Sequence, residues 1–426
     1  MVSGSGVMAE PRAEPFLAEG LLLEEARARV LAALRPDPPI ETLPLAACLG
    51  RVVAQSVLAS EAVPGFRAAI LDGYAVADAM PPEPGRRWRV VGRSAAGAPY
   101  PQPIGEGEAV RILTGAPMPE GAARVLAQEQ VEVQGDVQGE WLLLTEAVGP
   151  EPWIRAADEE AAPGQVLVQA GQRLGPADLG RLAGCGVAML PVAARPRIGL
   201  LISGDELVHA GAQRGPGEIW ESNGTLLEAL FARLGYPLTQ RLQVADQPER
   251  LAAAFDQLAA GCDLVVSTGG VSAGDSDWIR PLLAERGTVA FWKLFLRPGR
   301  PFAFGTLAGL PFFGLPGNPV AAAITALQLV LPALQALEGG DAVGLRRLRV
   351  RLAAPLRRRP GRPELARARL AFAADGLPLA LLEGSQASSR IGSLQGAELL
   401  LELPAEAATL EAGTELWAQL LLLPLF

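Results

Sequence analysis

From about residue 196 onward, for about 130 residues, short apolar runs alternate with amphipathic helical patterns, and this rhythm limits the fold more than any other feature. "RPRIGLLISG" is an apolar run that ends in Gly, as expected of a parallel strand buried on both faces. "SNGTLLEALFARLG" follows with apolar residues at helical spacing, and Gly235 is placed to stop the helix. "PLTQRLQVAD" reads as a strand, "QPERLAAAFDQLAAG" as a helix, "CDLVVSTGG" as a buried strand and "SDWIRPLLAERG" as a helix. "LPFFGLPGNPVAAAITALQLVLPALQAL" then supplies a strand, a Pro/Gly turn and a long helix from near Pro319. Such alternation predicts a doubly wound α/β domain, in which ligands bind beyond the carboxyl ends of the strands.

The flanking regions read differently. Residues 21–35 predict a helix, stopped by Pro36, Pro38 and Pro39. From about 40 to 150, runs such as "RWRVVG", "AVRIL" and "WLLLTEAV" lie between Gly and Pro, a β-rich pattern. After Gly339 and Gly340, "LRRLRVRLAAPL" opens a last β-patterned segment that runs to Phe426. A chain of 426 residues exceeds one ordinary core, so several domains are expected.

Composition excludes several function classes. A net charge of −9 argues against bulk nucleic-acid binding. Cys48, Cys185 and Cys262 are scattered and show no metal-ligand spacing, which fits a reducing, cytoplasmic compartment. His209 is the only histidine, which argues against a zinc site of His and Cys ligands and against a His-based triad. No uninterrupted apolar run approaches the length of a membrane span, so no membrane-crossing helix is expected. The first residues, "MVSGSGVMAEPRAEP", lack the apolar core of a signal peptide and read as a loose tail.

A compositional drift points to particular residues. Of 37 basic residues one is lysine, Lys293, and only two asparagines are present, Asn223 and Asn318. Positions that resist such a drift are enriched for a specific need: a compact point charge for lysine, a donor and an acceptor together for asparagine. Lys293 lies in "FWKLFLRPGRPFAFG", with Arg297 and Arg300 held between prolines, a cluster suited to an oxyanion. "STGGVSAGDSD" puts Ser267, Gly269, Gly270 and Ser272 after a buried strand, where bare backbone N–H groups suit a phosphate. Asp275 and Asp277 in the same stretch either hold a hard cation such as Mg²⁺ or cap the helix near Trp278. Asp205 and Glu206 of "SGDEL", and Asp246 after "LQVAD", are expected at the same sheet edge. "GLPGNP", with Pro316, Gly317 and Asn318, adds a second rigid turn before a helix. Neither GxGxxG nor GxxxxGK[ST] occurs, which disfavours a generic dinucleotide or P-loop enzyme.

Ten stretches, in order, resemble the MoeA family of molybdopterin molybdenumtransferases, which is related to the gephyrin E domain. They are "CLGRVVAQSV", "LDGYAV", "RILTGAPMPEGA", "RPRIGLLISGDELV", "STGGVSAGDSDW", "FWKL", "RPGRPFAFG", "GLPGNPV", "GRPELARARL" and "GSQASSRIGSL". The resemblance implies a four-domain, elongated homodimer. Its parts would be a helix at 21–35 packed with the α/β domain, a linking domain of 36–58 and 151–180, and a β-rich domain at 59–150. A molybdopterin adenylyltransferase-like α/β domain at 181–338 and a C-terminal β-domain at 339–426 would follow. It implies insertion of molybdate into adenylylated molybdopterin with release of AMP, aided by Mg²⁺, and a molybdopterin adenylyltransferase as a possible partner. Carried over by position, Asp72, Thr114, Glu206, Asp246, Asp277 and Lys293 are the catalytic candidates, and Glu206, Asp246 and Asp277 the metal candidates. Ser267, Gly269, Gly270, Ser272, Arg297, Arg300, Pro316, Gly317, Asn318 and Ser388 are the substrate-binding candidates. The chain departs from the family pattern at Arg67 and Ala69 of "FRAAILDGY" and at Ala123 of "GAARV", where the family has Asp, Ser and Asp. Arg67 and Ala123, which do not keep the family's charge, raise an alternative, a non-catalytic binding or scaffold paralogue.

Overall fold

The computed structural model describes residues 20–137, 139–270, 278–382 and 384–422. At its centre is a six-stranded sheet with strand order Leu238–Val244, Ile198–Ser203, Leu264–Thr268, Leu310–Leu315, Ala303–Leu307, Gly287–Phe291. The first four strands are mutually parallel and the last two are each antiparallel to their neighbour. All residues of Ile198–Ser203 and Leu264–Thr268 are buried, because helices cover both faces. The two-residue period divides them cleanly: Ile198, Leu200, Ile202, Leu264 and Val266 enter one core, Leu201 and Val265 the other.

The helices follow their patterns. Asn223–Arg233 buries Gly224, Leu227 and Phe231 on one stripe, and Gly235, at φ +87°, takes the left-handed turn that ends it. Pro248–Gly261 starts on a proline and buries Leu251, Ala254, Phe255 and Leu258. Phe255 meets Phe312 edge to face at 5.7 Å, which anchors that helix to the sheet. The N-terminal helix is Leu23–Ala33, shorter than 21–35 at its start because Leu21 is engaged elsewhere. The Leu21 N–H donates to the Lys293 carbonyl at 3.0 Å, and the Phe295 N–H donates to the Leu21 carbonyl at 2.7 Å. Leu23, Ala26 and Val30 join the core on one face of the central sheet.

The long helix after Pro319 is not uniform. An α segment Pro319–Thr325 passes through a π segment Ala326–Val330 into a second α segment, Leu331–Leu337. Pro332 has no N–H to offer the Gln328 carbonyl, and Arg27 Nε donates to that carbonyl instead, at 3.2 Å. Pro319–Leu337 spans 19 residues with a mean hydropathy of 1.9, which by length and composition is enough to cross a membrane, contrary to the expectation from run length. Thr325, Gln328 and Gln335 interrupt the apolar run without lowering the average enough to matter. Of its most apolar window, 83% is buried inside the protein's own core.

Three smaller units surround this domain. A six-stranded sheet ordered Arg124–Ala127, Gly73–Val76, Glu108–Ile112, Arg87–Ser94, Gly139–Leu144, Val131–Asp136 forms the β-rich unit, antiparallel except for one pair. Strand Ile40–Pro44 pairs with Met189–Ala193 in the linking unit, whose core includes Cys48, Val53, Leu167, Leu182, Leu190 and Val192. The boundary expected at 181 therefore cuts through a helix, Pro176–Gly184, and residues up to Ala193 pack with the linker. Arg347–Leu352, Pro378–Leu381, Glu364–Phe372, Leu399–Leu403 and Glu415–Leu420 close into a five-stranded C-terminal barrel.

Candidate functional site

The four parallel strands end at one edge, which carries Ser203, Val244, Thr268 and Leu315. Gly287–Phe291 runs in the same sense, being two antiparallel steps away from Leu310–Leu315, so the segment from Trp292 to Phe302 returns along the same edge. Topology thus brings Lys293, Arg297, Arg300, Glu206, Asp246, Ser267, Gly269, Gly270, Pro316, Gly317 and Asn318 to one side of the domain. Ser272, Asp275 and Asp277 lie outside the described residues.

Two turns form the middle of this edge. Gly269 sits at φ +90°, and a Cβ there would stand 2.5 Å from the Ser203 carbonyl oxygen, so only glycine fits. Gly317 lies against it, its Cβ position 3.9 Å from the Gly269 Cα. The Thr268 hydroxyl donates to the Pro316 carbonyl at 3.3 Å. The Asn223 side-chain nitrogen donates to the Thr268 hydroxyl at 2.7 Å and to the Gly317 carbonyl at 2.8 Å. Ser203 Oγ, Ser267 Oγ and Asn223 Oδ1 are buried without a hydrogen-bond partner among the described residues. Ser203 was not singled out in the sequence; a small hydroxyl residue closing a buried strand before Gly204 is the signal that marks it.

The acids gather beside these turns. Burial pushes the Asp246 carboxyl above its ordinary value, the nearby Ser203 hydroxyl opposes this without closing a well-aligned hydrogen bond, and the charges of Asp205 and Glu206 add to the rise. Asp205 accepts a hydrogen bond from the Asp246 N–H at 3.0 Å and so shapes the turn. Among the described residues no group of three or more His, Cys, Asp or Glu side chains is arranged to hold a metal ion.

The basic side is anchored by aromatic packing. Phe291 stacks on Phe302 with ring centres 5.8 Å apart, and Phe304 meets Phe313 at 5.1 Å. Lys293, next to this stack, is exposed and forms no ion pair with another described residue. The loop closes where the Leu294 N–H donates to the Arg300 carbonyl at 3.0 Å. Arg297 leans toward the barrel, 3.7 Å from Glu364. The barrel also delivers Ser388: its carbonyl accepts the Val320 N–H at 3.1 Å and its hydroxyl accepts from Asn318 Nδ2 at 3.0 Å. Behind that loop lies Arg367, 2% exposed, with Nε donating to Ser393 Oγ and Nη1 buried without a partner among the described residues. Its position in "ARARL" gave no sign that this arginine, rather than its neighbour, turns inward.

Asp72 and Thr114 come together, but apart from this edge. Asp72 Oδ1 accepts from both the Thr114 N–H and the Thr114 hydroxyl, each at 2.7 Å. The backbone N–H, then the hydroxyl, holds the Asp72 carboxyl below its ordinary value. No hydrogen bond or ion pair among the described residues joins the β-rich unit to the central sheet. Arg67 Nη1 donates to the Ala122 carbonyl at 3.2 Å, so two of the three departures from the family pattern, Arg67 and Ala123, lie side by side.

Comparison with known proteins agrees along the length of the chain. Three family models match in order: the MoeA N-terminal region (domain I and II) at residues 21–186, the probable molybdopterin binding domain at 199–336, and the MoeA C-terminal region (domain IV) at 349–421. The chain is 35% identical over 319 residues to a molybdopterin molybdenumtransferase of Haemophilus influenzae, covering 75% of this chain and 78% of that one. It is 32% identical over 406 residues to molybdopterin molybdenumtransferase 2 of Mycobacterium tuberculosis, covering 92% and 98%. Gephyrin of Dictyostelium discoideum is 28% identical over 427 residues, but only 58% of its length is covered. The crystal structure of a molybdopterin biosynthesis MoeA protein from Pyrococcus horikoshii superposes with a TM-score of 0.76 at 28% identity, covering 94% of this chain and 99% of that one. With its central sheet, linking unit, β-rich unit and barrel all accounted for, the chain belongs to the MoeA family of molybdopterin molybdenumtransferases.

Proposed function

We propose that this enzyme inserts molybdate into adenylylated molybdopterin and releases AMP. The observation that carries this reading is the meeting, at one sheet edge, of two bare-backbone turns with an exposed Lys293 that forms no ion pair among the described residues. The turns at Gly269 and Gly317 offer backbone N–H groups to phosphate oxygens. Lys293 would meet the charge of the phosphoanhydride as a compact cation, strongest where charge builds on the departing AMP. Arg297 and Arg300 would orient a phosphate or the incoming oxometalate. Glu206 and Asp246 are hard oxygen donors of the kind Mg²⁺ takes, and an ion beside them would offset the burial and the like charges that raise the Asp246 carboxyl; Asp277, the third acid of the expected set, lies outside the described residues. When bound, Mg²⁺ would neutralise phosphoanhydride oxygens.

Asp72 and Thr114 are assigned to the cleft of a second copy, which makes the working form a homodimer. The substrate would come from a molybdopterin adenylyltransferase. The test incubates the purified chain with adenylylated molybdopterin, molybdate and Mg²⁺ and measures AMP chromatographically. Stoichiometric, molybdate-dependent AMP release is expected. Tight binding of the pterin with no AMP release would overturn the reading and leave a binding protein.

A further inference from the structure

Asn223 is one of two asparagines in the chain, and the proposed chemistry makes no use of it. It is the first residue of helix Asn223–Arg233, yet the helix does not depend on its side chain. The Gly224 N–H at that end is satisfied by Glu221 Oε1 at 2.6 Å, and Glu221 is itself held by Arg241 at 2.6 Å. The Asn223 amide is spent on two loops instead. One N–H reaches the Thr268 hydroxyl, directly before Gly269, and the other reaches the Gly317 carbonyl. Thr268 continues the link to the Pro316 carbonyl. The two turns that flank the cleft leave neighbouring strands, and beyond the strand ends they are joined by the Asn223 carboxamide and by the direct Thr268–Pro316 bond. Aspartate lacks the two N–H groups, and glutamine is one methylene too long for the same bridge.

We propose that Asn223 is a positioning residue for the cleft. Its amide sets the spacing between the Gly269-Gly270 turn and the Pro316-Gly317 turn, so that both turns hold the same phosphate at the nucleotide end of the substrate. This deepens the adenylylated-pterin reading and rests on it. Asn223 Oδ1 is buried without a hydrogen-bond partner among the described residues, so among them the two donated bonds orient the side chain.

The experiment measures AMP affinity by calorimetry, together with kcat and KM for AMP release and the melting temperature. It uses full-length wild type, Asn223→Ala, Thr268→Val and the double variant. Each single change is expected to weaken AMP binding about fivefold or more, the scale of a lost pair of neutral hydrogen bonds. The double variant is expected to lose less than the sum of the two singles, because the Asn223–Thr268 bond is broken in both. Asn223→Asp keeps the shape and puts a favourable charge at the helix start, so it supplies a folded test should Asn223→Ala lose stability. It too is expected to lose AMP affinity while keeping its melting temperature. Wild-type AMP affinity and kcat/KM in folded Asn223→Ala or Asn223→Asp would overturn the positioning role alone. Losses that add fully in the double variant would also overturn it. A wild-type protein that neither binds nor releases AMP would bring down the functional reading, and this inference with it.

Discussion

Lys293 presents the one compact ammonium in a chain whose other 36 basic side chains are guanidinium groups. If its charge is used on a departing phosphate, Lys293→Ala should slow AMP release at least about tenfold, about 1.4 kcal/mol of barrier, with the fold intact because the side chain is exposed. Lys293→Arg is the sharper comparison: full activity there would show that position, and not compactness, is what matters. A second residue-scale test concerns Asp72, whose carboxyl is depressed by Thr114. A depressed carboxylate contributes stability above its ordinary value, and that contribution is lost as pH falls through its lower folded value. Thr114→Val removes the hydroxyl but not the N–H, so Asp72 should titrate at higher pH in the variant, as followed by carboxyl NMR. The scarcity of lysine and asparagine marked Lys293, Asn223 and Asn318 in the sequence, and all three stand on one sheet edge. Ser203 and Arg367 left no such mark, since serine and arginine are common here and burial depends on packing across the chain.

At the level of elements, the apolar runs from Ile198 to Leu315 were readable because strands buried on both faces need uninterrupted apolar residues. Gly287–Phe291 and Ala303–Leu307 were not, because an antiparallel extension at a sheet edge carries no distinct period and its register is set by partners. The π segment was equally hidden: Pro332 in an otherwise regular helix did not reveal that Arg27, far away in sequence, would take up the released carbonyl of Gln328. Gln328 is 2% exposed, and its side chain also joins Arg27 at 3.0 Å and Gln419 of the barrel at 2.7 Å. Gln328→Leu should leave the buried Gln419 amide and Arg27 short of partners and cost about 2 kcal/mol or more of stability. A denaturant midpoint equal to wild type would show that water replaces those bonds without loss.

At the scale of the whole molecule, the linking unit and the central domain meet over a buried carboxylate. Glu338, fully buried, accepts from the Tyr236 hydroxyl at 2.8 Å and pairs with Arg173 at 2.8 Å, while Arg51 lies 4.0 Å away. Burial raises the Tyr236 phenol well above its ordinary value and keeps it a donor. Glu338→Gln should destabilise the chain by about 3 kcal/mol, because the arginines around it lose their counter-charge. The proposed sharing of clefts between two copies gives the last prediction: a purified heterodimer of Asp72→Ala and Lys293→Ala subunits should recover about half the wild-type sites, although each parent is impaired. A fully active monomer, measured by sedimentation at assay concentration, would rule this out. Finally, a chain with a single lysine offers a lysine-specific protease one peptide bond, Lys293–Leu294. Leu294 is fully buried and its N–H is bonded to Arg300, so the bond is closed to attack in the folded state. Appearance of the fragments 1–293 and 294–426 therefore times the opening of this one loop, and any ligand that braces it should slow the cut in proportion to its occupancy.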